Sequence, residues 1–591
     1  MTLKQTYDLM GRERTIRWVL LIALALLVSG LEMLGALLVY SLLALVAEPD
    51  GSIDLPLIGD LRERVNGVAG DSLLLWVMGA MAVFFVVRAL VQVTSKYAQS
   101  RIGHNAGARL STRMLEGYLR WPYPMHLTRT SSELIRNGHE AVSRLVTDVV
   151  LPTIRTVAEV LILLALLVVM LLLAPLATIV AVAVVGGAAV LLLALVQPRL
   201  SILGGIQHRA AKRTLAAIQQ SLFGIRDVKV LGREHAFSQE YARSRMEMAR
   251  ASYLRDTVVN LPGVVFELVL MAFIIGLFAS TLIQGNAAQE SLSLVGLFAY
   301  VGMRLKPSMQ TIIQGLNNLK FAAIPLQDLH RDLGLMSPDR TTVAAVEPLP
   351  FRDGMRLECV SFQYESANRD ALQDIDLTIR PGEQIGICGP TGSGKTTLTD
   401  IITGLLAPTS GRAMVDGQVL SEVERRWQAN LGIVAQMVFL TDDTLKRNIA
   451  LGVPDEQIDD AAVADAVRMA QLEDFVAELP RGLETTVGER GVRVSGGQRQ
   501  RIAIARALYR KPDVLIFDEG TSALDNTTEA QMMAAIDHLR GDHTIILVAH
   551  RLSTVRHSDR IVFLENGRMT GLGSYDELRK SNVAFRTLAA K

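Results

Sequence analysis

Residues 389–396 have a pattern that holds phosphate groups in many nucleotide-binding proteins. They read Gly-Pro-Thr-Gly-Ser-Gly-Lys-Thr and directly follow a short apolar run, Gln384–Cys388, that is typical of a buried strand. Glycines here let backbone amides turn towards an anion, and a helix that follows points its positive end at the same place. Lys395 would add a cation for the terminal phosphates, and Thr396 a hydroxyl for magnesium. The pattern predicts a nucleoside triphosphate site that also uses Mg²⁺.

Two carboxylates end a second apolar run, residues 513–519. Such a run is typical of a buried parallel strand, and ligands bind at the carboxyl ends of these strands. Because successive side chains of a strand point to opposite faces, the two acids should have different roles. We expect Asp518 to join the magnesium shell and Glu519 to polarise the attacking water.

A second anion-binding element is the loop Ser495-Gly-Gly-Gln498, which opens a helical pattern over residues 499–508. One phosphate loop already holds the nucleotide, so a second such element makes sense when the nucleotide lies between two copies of the domain. Together with the first two elements, this loop resembles the signature of the ATP-binding cassette (ABC) transporters. Val494 stands where that family usually has Leu.

Further motifs similar to those of ABC transporters follow in the expected order. Tyr364 resembles the aromatic residue that stacks on adenine, and Gln436 resembles the glutamine that touches the metal and the water. Asp525 lies in a segment similar to the loop that crosses to the partner domain, and His550 resembles the histidine that contacts the γ-phosphate. The resemblance covers essentially the whole chain.

The resemblance implies three sets of site residues, with ATP and Mg²⁺ as cofactors. The implied catalytic residues are Glu519, His550 and Gln436. The implied metal ligands are Thr396, Gln436 and Asp518. The implied nucleotide contacts are Tyr364, Gly389, Pro390, Thr391, Gly392, Ser393, Gly394, Lys395, Thr396, Thr397, Ser495, Gly496, Gly497, Gln498 and Asp525.

The composition predicts that these motifs belong to a membrane protein. The chain has 591 residues, of which 50% are hydrophobic, and a mean hydropathy of +0.30, which is too high for a soluble enzyme or a disordered chain. A formal net charge of +1 gives no whole-protein field to attract a polyanion, so nucleic acid is not an expected partner. Two cysteines, Cys359 and Cys388, cannot form a disulfide framework, and we expect Cys388 to behave as a small buried hydrophobe.

Six runs of the sequence are long and apolar enough to cross a bilayer. The sixth is the weakest, because Arg304, Lys306 and Pro307 interrupt it. The fourth run follows the third so closely that we predict a tight turn at Ala174-Pro175. The runs are residues 18–46, 73–93, 149–173, 176–196, 264–282 and 291–312.

The distribution of Lys and Arg predicts how the spans are oriented. Basic residues are frequent at the N-terminus and in the connections between spans two and three and between spans four and five. The first connection, residues 47–72, is rich in Asp and Glu instead. We therefore expect a multi-pass protein of the bacterial inner membrane with the cassette and both termini in the cytoplasm. The long cytoplasmic connections indicate helices that continue past the bilayer.

We expect three parts along the chain. Residues 1–320 would be a six-span transmembrane domain with long cytosolic helix extensions, residues 321–351 a linker, and residues 352–591 the ATP-binding cassette. The predicted fold class is an α-helical membrane domain of six transmembrane helices plus a cytosolic α/β P-loop cassette domain with a helical subdomain.

Charged residues inside spans are costly and are therefore candidate substrate contacts. They either line the substrate path or pair between helices, and Arg155 and Glu159, four residues apart, could simply form an internal ion pair. A path with charges of both signs suits an amphiphile with a charged head and an apolar tail. Several of these positions also resemble bacterial flippases for lipid-linked oligosaccharides. The candidate substrate residues are Glu32, Arg88, Glu159, Glu267 and Arg304.

One chain carries one cassette and therefore half of each ATP site. A homodimer is the expected assembly, because both half-sites look intact. Two short stretches, residues 131–143 and 224–234, resemble the coupling segments of exporters, although amphipathic surface turns would look the same.

The sequence favours an ATP-hydrolysing exporter or flippase that moves an amphiphile, a lipid-linked oligosaccharide or another lipid, across the inner membrane. The alternative substrates are hydrophobic drugs, lipid A-like lipids or peptides. A soluble-type cassette ATPase acting on DNA or ribosomes is disfavoured by the six spans and the near-zero net charge. A nucleotide-gated channel or receptor is a further alternative, and it would be favoured by a Glu519→Gln protein that still moves substrate.

Overall fold

The chain forms two compact units. Unit 1 contains Met1–Trp121 and Arg129–Ser337, whereas unit 2 contains Pro122–Thr128 and Pro338–Lys591. A computed structural model describes residues 15–47, 54–55, 59–60, 70–283, 288–321, 323–336, 346–365, 367–488, 494–518, 533–534, 536–549 and 551–589.

Long helices make up unit 1 and follow the apolar runs of the sequence. Among the described residues, five helices are long and apolar enough to cross a membrane. A short antiparallel hairpin, β1 (Asp54–Leu55) with β2 (Gly59–Asp60), lies in the first connection. The helices up to residue 336 are α1 (Thr15–Ala47), α2 (Gly70–Leu119), α3 (Tyr123–Thr128, in unit 2), α4 (Ser131–Ile135), α5 (Val142–Arg144), α6 (Leu151–Leu173), α7 (Pro175–Ala181), α8 (Gly187–Phe223), α9 (Ile225–Val230), α10 (Glu234–Ile283), α11 (Ala288–Phe321) and α12 (Ala323–Gly334).

Helices α2 and α10 each contain 50 residues. At 1.5 Å per residue each is about 75 Å long, more than twice the roughly 30 Å of a hydrocarbon core. They therefore extend well beyond the bilayer, as predicted from the long connections. Helices α6 and α7 meet at Ala174, whose backbone leaves the helical region (φ −147°, ψ 72°). The Thr178 hydroxyl donates to the carbonyl groups of Met170 (2.8 Å) and Ala174 (2.7 Å), which stabilises the predicted turn.

The sixth predicted span lies in the continuous helix α11, which is not among the five apolar helices. Arg304 and Lys306 lower its hydropathy. Its residues Leu297, Phe298 and Val301 are buried in a core formed with α1 and α6. A helix that faces other helices needs less apolar circumference than one that faces lipid, which accounts for its weaker signal.

Unit 2 is an α/β structure with two apolar cores. The run Gln384–Cys388 is a buried strand, as predicted. The helices are α13 (Lys395–Ile402), α14 (Leu420–Gln428), α15 (Leu445–Ile449), α16 (Asp460–Met469), α17 (Glu473–Glu478), α18 (Gly496–Leu508), α19 (Leu552–Val555), α20 (Tyr575–Ser581) and α21 (Val583–Ala589). The strands are β3 (Met355–Phe362), β4 (Leu372–Ile379), β5 (Gln384–Cys388), β6 (Ser410–Val415), β7 (Gln418–Val419), β8 (Leu431–Val434), β9 (Asp443–Thr444), β10 (Thr486–Val487), β11 (Val514–Asp518), β12 (Thr544–Ala549), β13 (Arg560–Glu565) and β14 (Arg568–Gly573).

The central sheet of unit 2 has the strand order β14-β13-β5-β12-β11-β8. Adjacent strands of this sheet are parallel, except for the antiparallel pair β13–β14. A second, antiparallel sheet has the order β4-β3-β6-β7, and β9 pairs with β10. The helices α15 to α18 come between β8 and β11 along the chain. Together the two units confirm the predicted fold class, a helical membrane domain joined to an α/β cassette.

The segment expected to be a linker, residues 321–351, includes the last residue of α11 and the helix α12. Leu329 and Asp332 of this helix are buried in unit 1, so the chain stays within that unit through Ser337. The four prolines of this stretch suggested a linker, but two of them come only after residue 340. The first half instead follows the amphipathic pattern of a helix.

Candidate nucleotide site and intramembrane charge cluster

The loop between β5 and α13 turns tightly because its glycines adopt a left-handed backbone. The φ angles of Gly389, Gly392 and Gly394 are 154°, 78° and 101°. A Cβ on Gly389 would lie 2.1 Å from the carbonyl oxygen of Leu564, and one on Gly394 would lie 2.7 Å from that of Ala371. Only glycine fits at these two positions, and the loop is therefore lined by backbone rather than by side chains.

Polar groups of this loop suit a triphosphate. The Lys395 ammonium is buried and donates to the carbonyl oxygens of Gly389 (2.9 Å) and Pro390 (3.0 Å). Ser393 Oγ is buried and has no hydrogen-bond partner among the described residues, so a ligand oxygen would satisfy it. Helix α13 begins at Lys395, and its N-terminal amides belong to the same loop. Thr391 and Thr396 are exposed beside it.

Tyr364 lies beside the phosphate loop, on the side predicted to hold adenine. Its hydroxyl is 3.0 Å from Thr397 Oγ1, and its ring packs edge-on against Phe362 with centroids 4.9 Å apart. The ring is only partly buried, so part of its surface is available for stacking.

The parallel strands bring further predicted residues to the same edge of the sheet. Strand β5 ends at Cys388, opposite Ala549 of β12, while Asp518 of β11 lies opposite Val548 of β12. Gln436 follows β8, the neighbour of β11. Glu519, Asp525 and His550 lie outside the described residues, although Glu519 and His550 directly follow β11 and β12.

Asp518 is also close enough to α13 to affect the titration of another carboxyl there. Burial, and then the charge of Asp518, raise the pKa of Asp400 to about 6. Asp518 and the phosphate loop therefore share one electrostatic environment.

The Ser495 loop opens α18 through a capping box. Ser495 Oγ accepts a hydrogen bond from the Gln498 backbone N–H (3.2 Å), and Gln498 Oε1 accepts one from the Ser495 N–H (2.9 Å). Gly496 and Gly497 form the first turn of the 13-residue helix. Val494 and α18 pack in one apolar core of unit 2, whereas α13 packs in the other. The two anion-binding elements thus stand on different cores.

Arg506, which the sequence analysis did not single out, fixes the segment that follows Gln436. It donates to the backbone carbonyl oxygens of Phe439 (2.9 Å) and Asn448 (2.8 Å). The buried Asn448 in turn accepts the Thr441 N–H (2.9 Å). An arginine between alanines on the apolar face of α18 was the available signal, because a charge at such a position needs a specific partner.

Neither cysteine shows features of a nucleophile. Burial raises the pKa of Cys388 to about 12, so its thiol stays protonated at neutral pH, as expected for a small buried hydrophobe. The charge of Asp376 raises the pKa of the exposed Cys359. Both are free thiols.

A segment shortly before one of the two predicted coupling segments belongs to unit 2. The segment that belongs to unit 2 is Pro122–Thr128, whereas residues 131–143 belong to unit 1. Tyr123 packs against the same apolar core as Tyr364. The signal was the sequence Trp121-Pro-Tyr-Pro124, because prolines end a helix and two aromatic residues offer a surface to bury.

In unit 1, four of the five candidate substrate residues form one cluster. Glu32 is fully buried, and its Oε1 accepts hydrogen bonds from Arg88 Nη2 (2.8 Å) and Arg304 Nε (3.1 Å). Arg304 also lies 3.3 Å from Glu159 Oε2, which accepts a hydrogen bond from Ser308 (2.6 Å). This cluster joins α1, α2, α6 and α11.

Glu267, the fifth candidate, lies apart from the cluster and pairs with Lys306. Arg155 is exposed, and Glu159 accepts hydrogen bonds from Arg304 and Ser308 of α11. The charges therefore pair mainly between helices, which was one of the two alternatives considered from the sequence.

Comparison with known proteins agrees with this geometry. The family model described as "ABC transporter transmembrane region" matches residues 18–305, and the one described as "ABC transporter" matches residues 372–522. An ATP-dependent lipid A-core flippase of Cupriavidus metallidurans is 33% identical over 572 residues, which cover 92% of each chain. A putative multidrug export ATP-binding/permease protein of Bacillus subtilis, YgaD, is 41% identical over 245 residues, 41% of this chain and 42% of that one.

A solved structure of a bacterial Atm1-family ABC exporter with ATP bound is also similar, with a TM-score of 0.77 and 25% identity over 98% of both chains. These matches confirm the resemblance seen in the motifs. The chain belongs to the ABC transporter family, as an exporter half-transporter of the bacterial inner membrane whose cassette binds ATP and couples its hydrolysis to transport.

Proposed function

We propose that two copies of this chain use ATP to move a lipid with a phosphate-bearing glycan headgroup across the inner membrane. The observation that carries this proposal is the intramembrane cluster, in which one buried carboxylate holds two guanidinium groups together. Lipid A-type lipids and lipid-linked oligosaccharides share this headgroup chemistry. The relative from Cupriavidus metallidurans, named as a lipid A-core flippase, supports the lipid class.

The geometry of the cluster favours an anionic headgroup. Arg88 and Arg304 both donate to Glu32, which keeps two like charges close together. Their side chains remain 14% and 20% exposed, whereas Glu32 is 0% exposed. Guanidinium groups bind phosphate through parallel N–H bonds. We therefore assign headgroup binding to Arg88 and Arg304, and the support of their geometry to Glu32 and Glu159.

A homodimer would complete the ATP sites. Each chain has one phosphate loop and one Ser495 loop, which stand on different cores of unit 2. We propose that ATP binds between residues 389–397 of one copy and 495–498 of the other. The turn between α8 and α10 exposes Phe223, Val230 and Leu231, and we propose that it packs on the cassette of the second copy.

Hydrolysis would use the residues at the carboxyl edge of the central sheet. Thr396, Gln436 and Asp518 would hold Mg²⁺, which when bound neutralises charge on the phosphates. Among the described residues, no group of three or more His, Cys, Asp or Glu could hold a metal ion. Glu519 would polarise the water, and His550 would contact the γ-phosphate. We also propose that both termini and the cassette face the cytoplasm, following the distribution of basic residues.

Export of hydrophobic drugs is the second candidate function. The Bacillus subtilis relative is named as a putative multidrug exporter. In addition, the two arginines of the cluster are balanced by two glutamates, and such a neutral network would admit an uncharged substrate.

Transport by reconstituted protein tests the substrate class. Purified protein is placed in vesicles with one of three probes: a labelled lipid A-type lipid, a polyprenyl-pyrophosphate-linked sugar, or a neutral hydrophobic dye. We expect ATP and Mg²⁺ to change the outer-leaflet accessibility of the phosphate-bearing lipids, and Lys395→Ala to abolish the change. Movement of the dye alone would overturn the lipid assignment.

Two arginine variants test the role of the cluster. We expect Arg304→Ala to lower lipid transport about tenfold, since removing one partner of a desolvated charge contact typically costs more than 1.4 kcal/mol. Arg243→Ala removes an exposed arginine from α10 and serves as the matched control, with transport unchanged. Equal effects of both variants would remove the headgroup role.

A further inference from the structure

A fully buried aspartate lies on α12, the last helix of unit 1. Asp332 Oδ2 accepts hydrogen bonds from the Tyr118 hydroxyl (2.9 Å) at the end of α2 and from Asn137 Nδ2 (3.1 Å) after α4. A buried carboxylate is costly unless other groups compensate it. These partners are separated from Asp332 by about two hundred residues of sequence, so the contact joins distant parts of the chain.

Two more residues complete what we call the Asp332 cluster, which consists of Asp332, Tyr118, Asn137, Arg129 and Trp121. Arg129 Nη2 lies 3.7 Å from Asp332 Oδ1, an oxygen that makes no hydrogen bond within the described part of the chain. The Trp121 ring packs edge-on against Tyr118, with centroids 4.8 Å apart. Tyr118, Trp121 and Asn137 are all buried.

The position of this cluster along the chain is its informative feature. The chain passes between the two units at three places: after Trp121, after Thr128 and after Ser337. Trp121 is the last residue before the first passage, and Arg129 is the first residue after the second. Asp332 lies five residues before Ser337. All three covalent passages therefore start or end at a residue of the Asp332 cluster, or within five residues of one.

We propose that Asp332 is a positioning residue that ties the three passages together, so that nucleotide binding in the cassette of the same copy reaches unit 1 through one rigid point. Without it, α12 and the ends of the 122–128 segment would move independently. Binding and hydrolysis of ATP would then continue without moving α2 and α12 together. This proposal rests on the ATP-driven transport of the family, not on the lipid substrate proposed above.

Asp332→Asn is the most informative variant, because the asparagine side chain has nearly the same shape as the aspartate side chain. An asparagine oxygen at the Oδ2 position can still accept from Tyr118 and Asn137, but the NH₂ group would then replace Oδ1 and face the Arg129 guanidinium, and both of these groups are donors. His330→Gln changes an exposed residue of the same helix and is the matched control.

Amide hydrogen exchange of the full-length protein tests this proposal. Exchange is followed in peptides covering residues 108–121 and 129–141, with and without a non-hydrolysable ATP analogue and Mg²⁺. In the wild type and in His330→Gln, we expect the analogue to change exchange in both peptides by about threefold or more. In Asp332→Asn, the change should fall below about 1.5-fold, with analogue affinity and basal ATPase within about twofold of wild type.

Several outcomes would overturn the proposal. One is an Asp332→Asn protein that keeps the full response to the analogue, and another is a wild type that shows no response in these peptides. Loss of nucleotide binding by folded Asp332→Asn would contradict it too, because Asp332 would then act on the ATP site. If Asp332→Asn does not fold, Tyr118→Phe removes one hydrogen bond only, and it should halve the response; an unchanged response would again refute the proposal.

Discussion

At the scale of single residues, the phosphate loop and the partners of buried charges differ in how well the sequence predicts them. Residues 389–396 act through local backbone geometry, so their spacing alone predicted the loop. Arg506 and Asp332 act through partners 58 and 214 residues away. A sequence pattern shows that such a charge needs a partner, but only the fold determines which one it meets.

Asp400 should make the nucleotide-free protein less stable as pH rises. Its pKa is raised to about 6 by burial and by Asp518, so the folded state binds this proton more tightly than the unfolded chain does. The resulting stabilisation is complete below about pH 4, the ordinary pKa of Asp, and is lost as pH rises through about 6. Since the side chain is only partly buried, we discount the effect to about 1 kcal/mol.

The variant Asp400→Asn should therefore melt at a higher temperature than the wild type at pH 8, and at the same temperature near pH 4. Thermal unfolding in detergent with a chelator present measures this. The exposed Asp370→Asn serves as the control for a simple change of charge. A difference between Asp400→Asn and wild type that does not vary with pH would contradict the assigned shift.

At the scale of helices and strands, hydropathy and helix-breaking residues carried most of the information. The turn at Ala174 and the long helices α2 and α10 were predictable, because each depends on local composition. The helix α12 was missed because prolines near it suggested a linker. The sequence did not predict that Pro122–Thr128 belongs to unit 2, because this assignment depends on an apolar surface that is distant in the sequence. Pro122 and Pro124 did indicate that the helix ends there.

The close packing of α2 should depend on a glycine. A Cβ on Gly107 would lie 2.6 Å from Val146 Cγ2. Gly107→Val should therefore force α2 away from the segment around Val146 and lower the free energy of unfolding by about 1–3 kcal/mol. Gly79 lies on the same helix with nothing within 4 Å of its Cβ position, and Gly79→Val is the matched control for the change in helix propensity. The melting temperature in detergent measures both variants, and equal melting temperatures would show that the contact is not tight.

At the scale of the whole molecule, the order of the motifs predicted both the family and the two-part architecture. The cassette was recognisable because its chemistry is encoded in short local patterns, whereas the pairing of Glu32 with Arg88 and Arg304 required the bundle to bring three helices together. The sequence could place charges in the spans but could not determine whether they face a substrate or each other.

We propose that two copies of one chain complete an ATP site at a shared interface. Lys395→Ala removes the cation of one half-site, and Ser495→Arg blocks the other, so we expect each variant alone to lose ATPase activity about a hundredfold. In a mixed dimer, purified through two different tags, one of the two sites is again intact.

Measurement of ATPase activity in that mixed dimer is the most direct test. In the mixed dimer we expect activity at least about tenfold above either variant alone and up to about half that of the wild type. A mixed dimer no more active than the two variants, or a single variant that retains wild-type activity, would contradict a site shared between two copies.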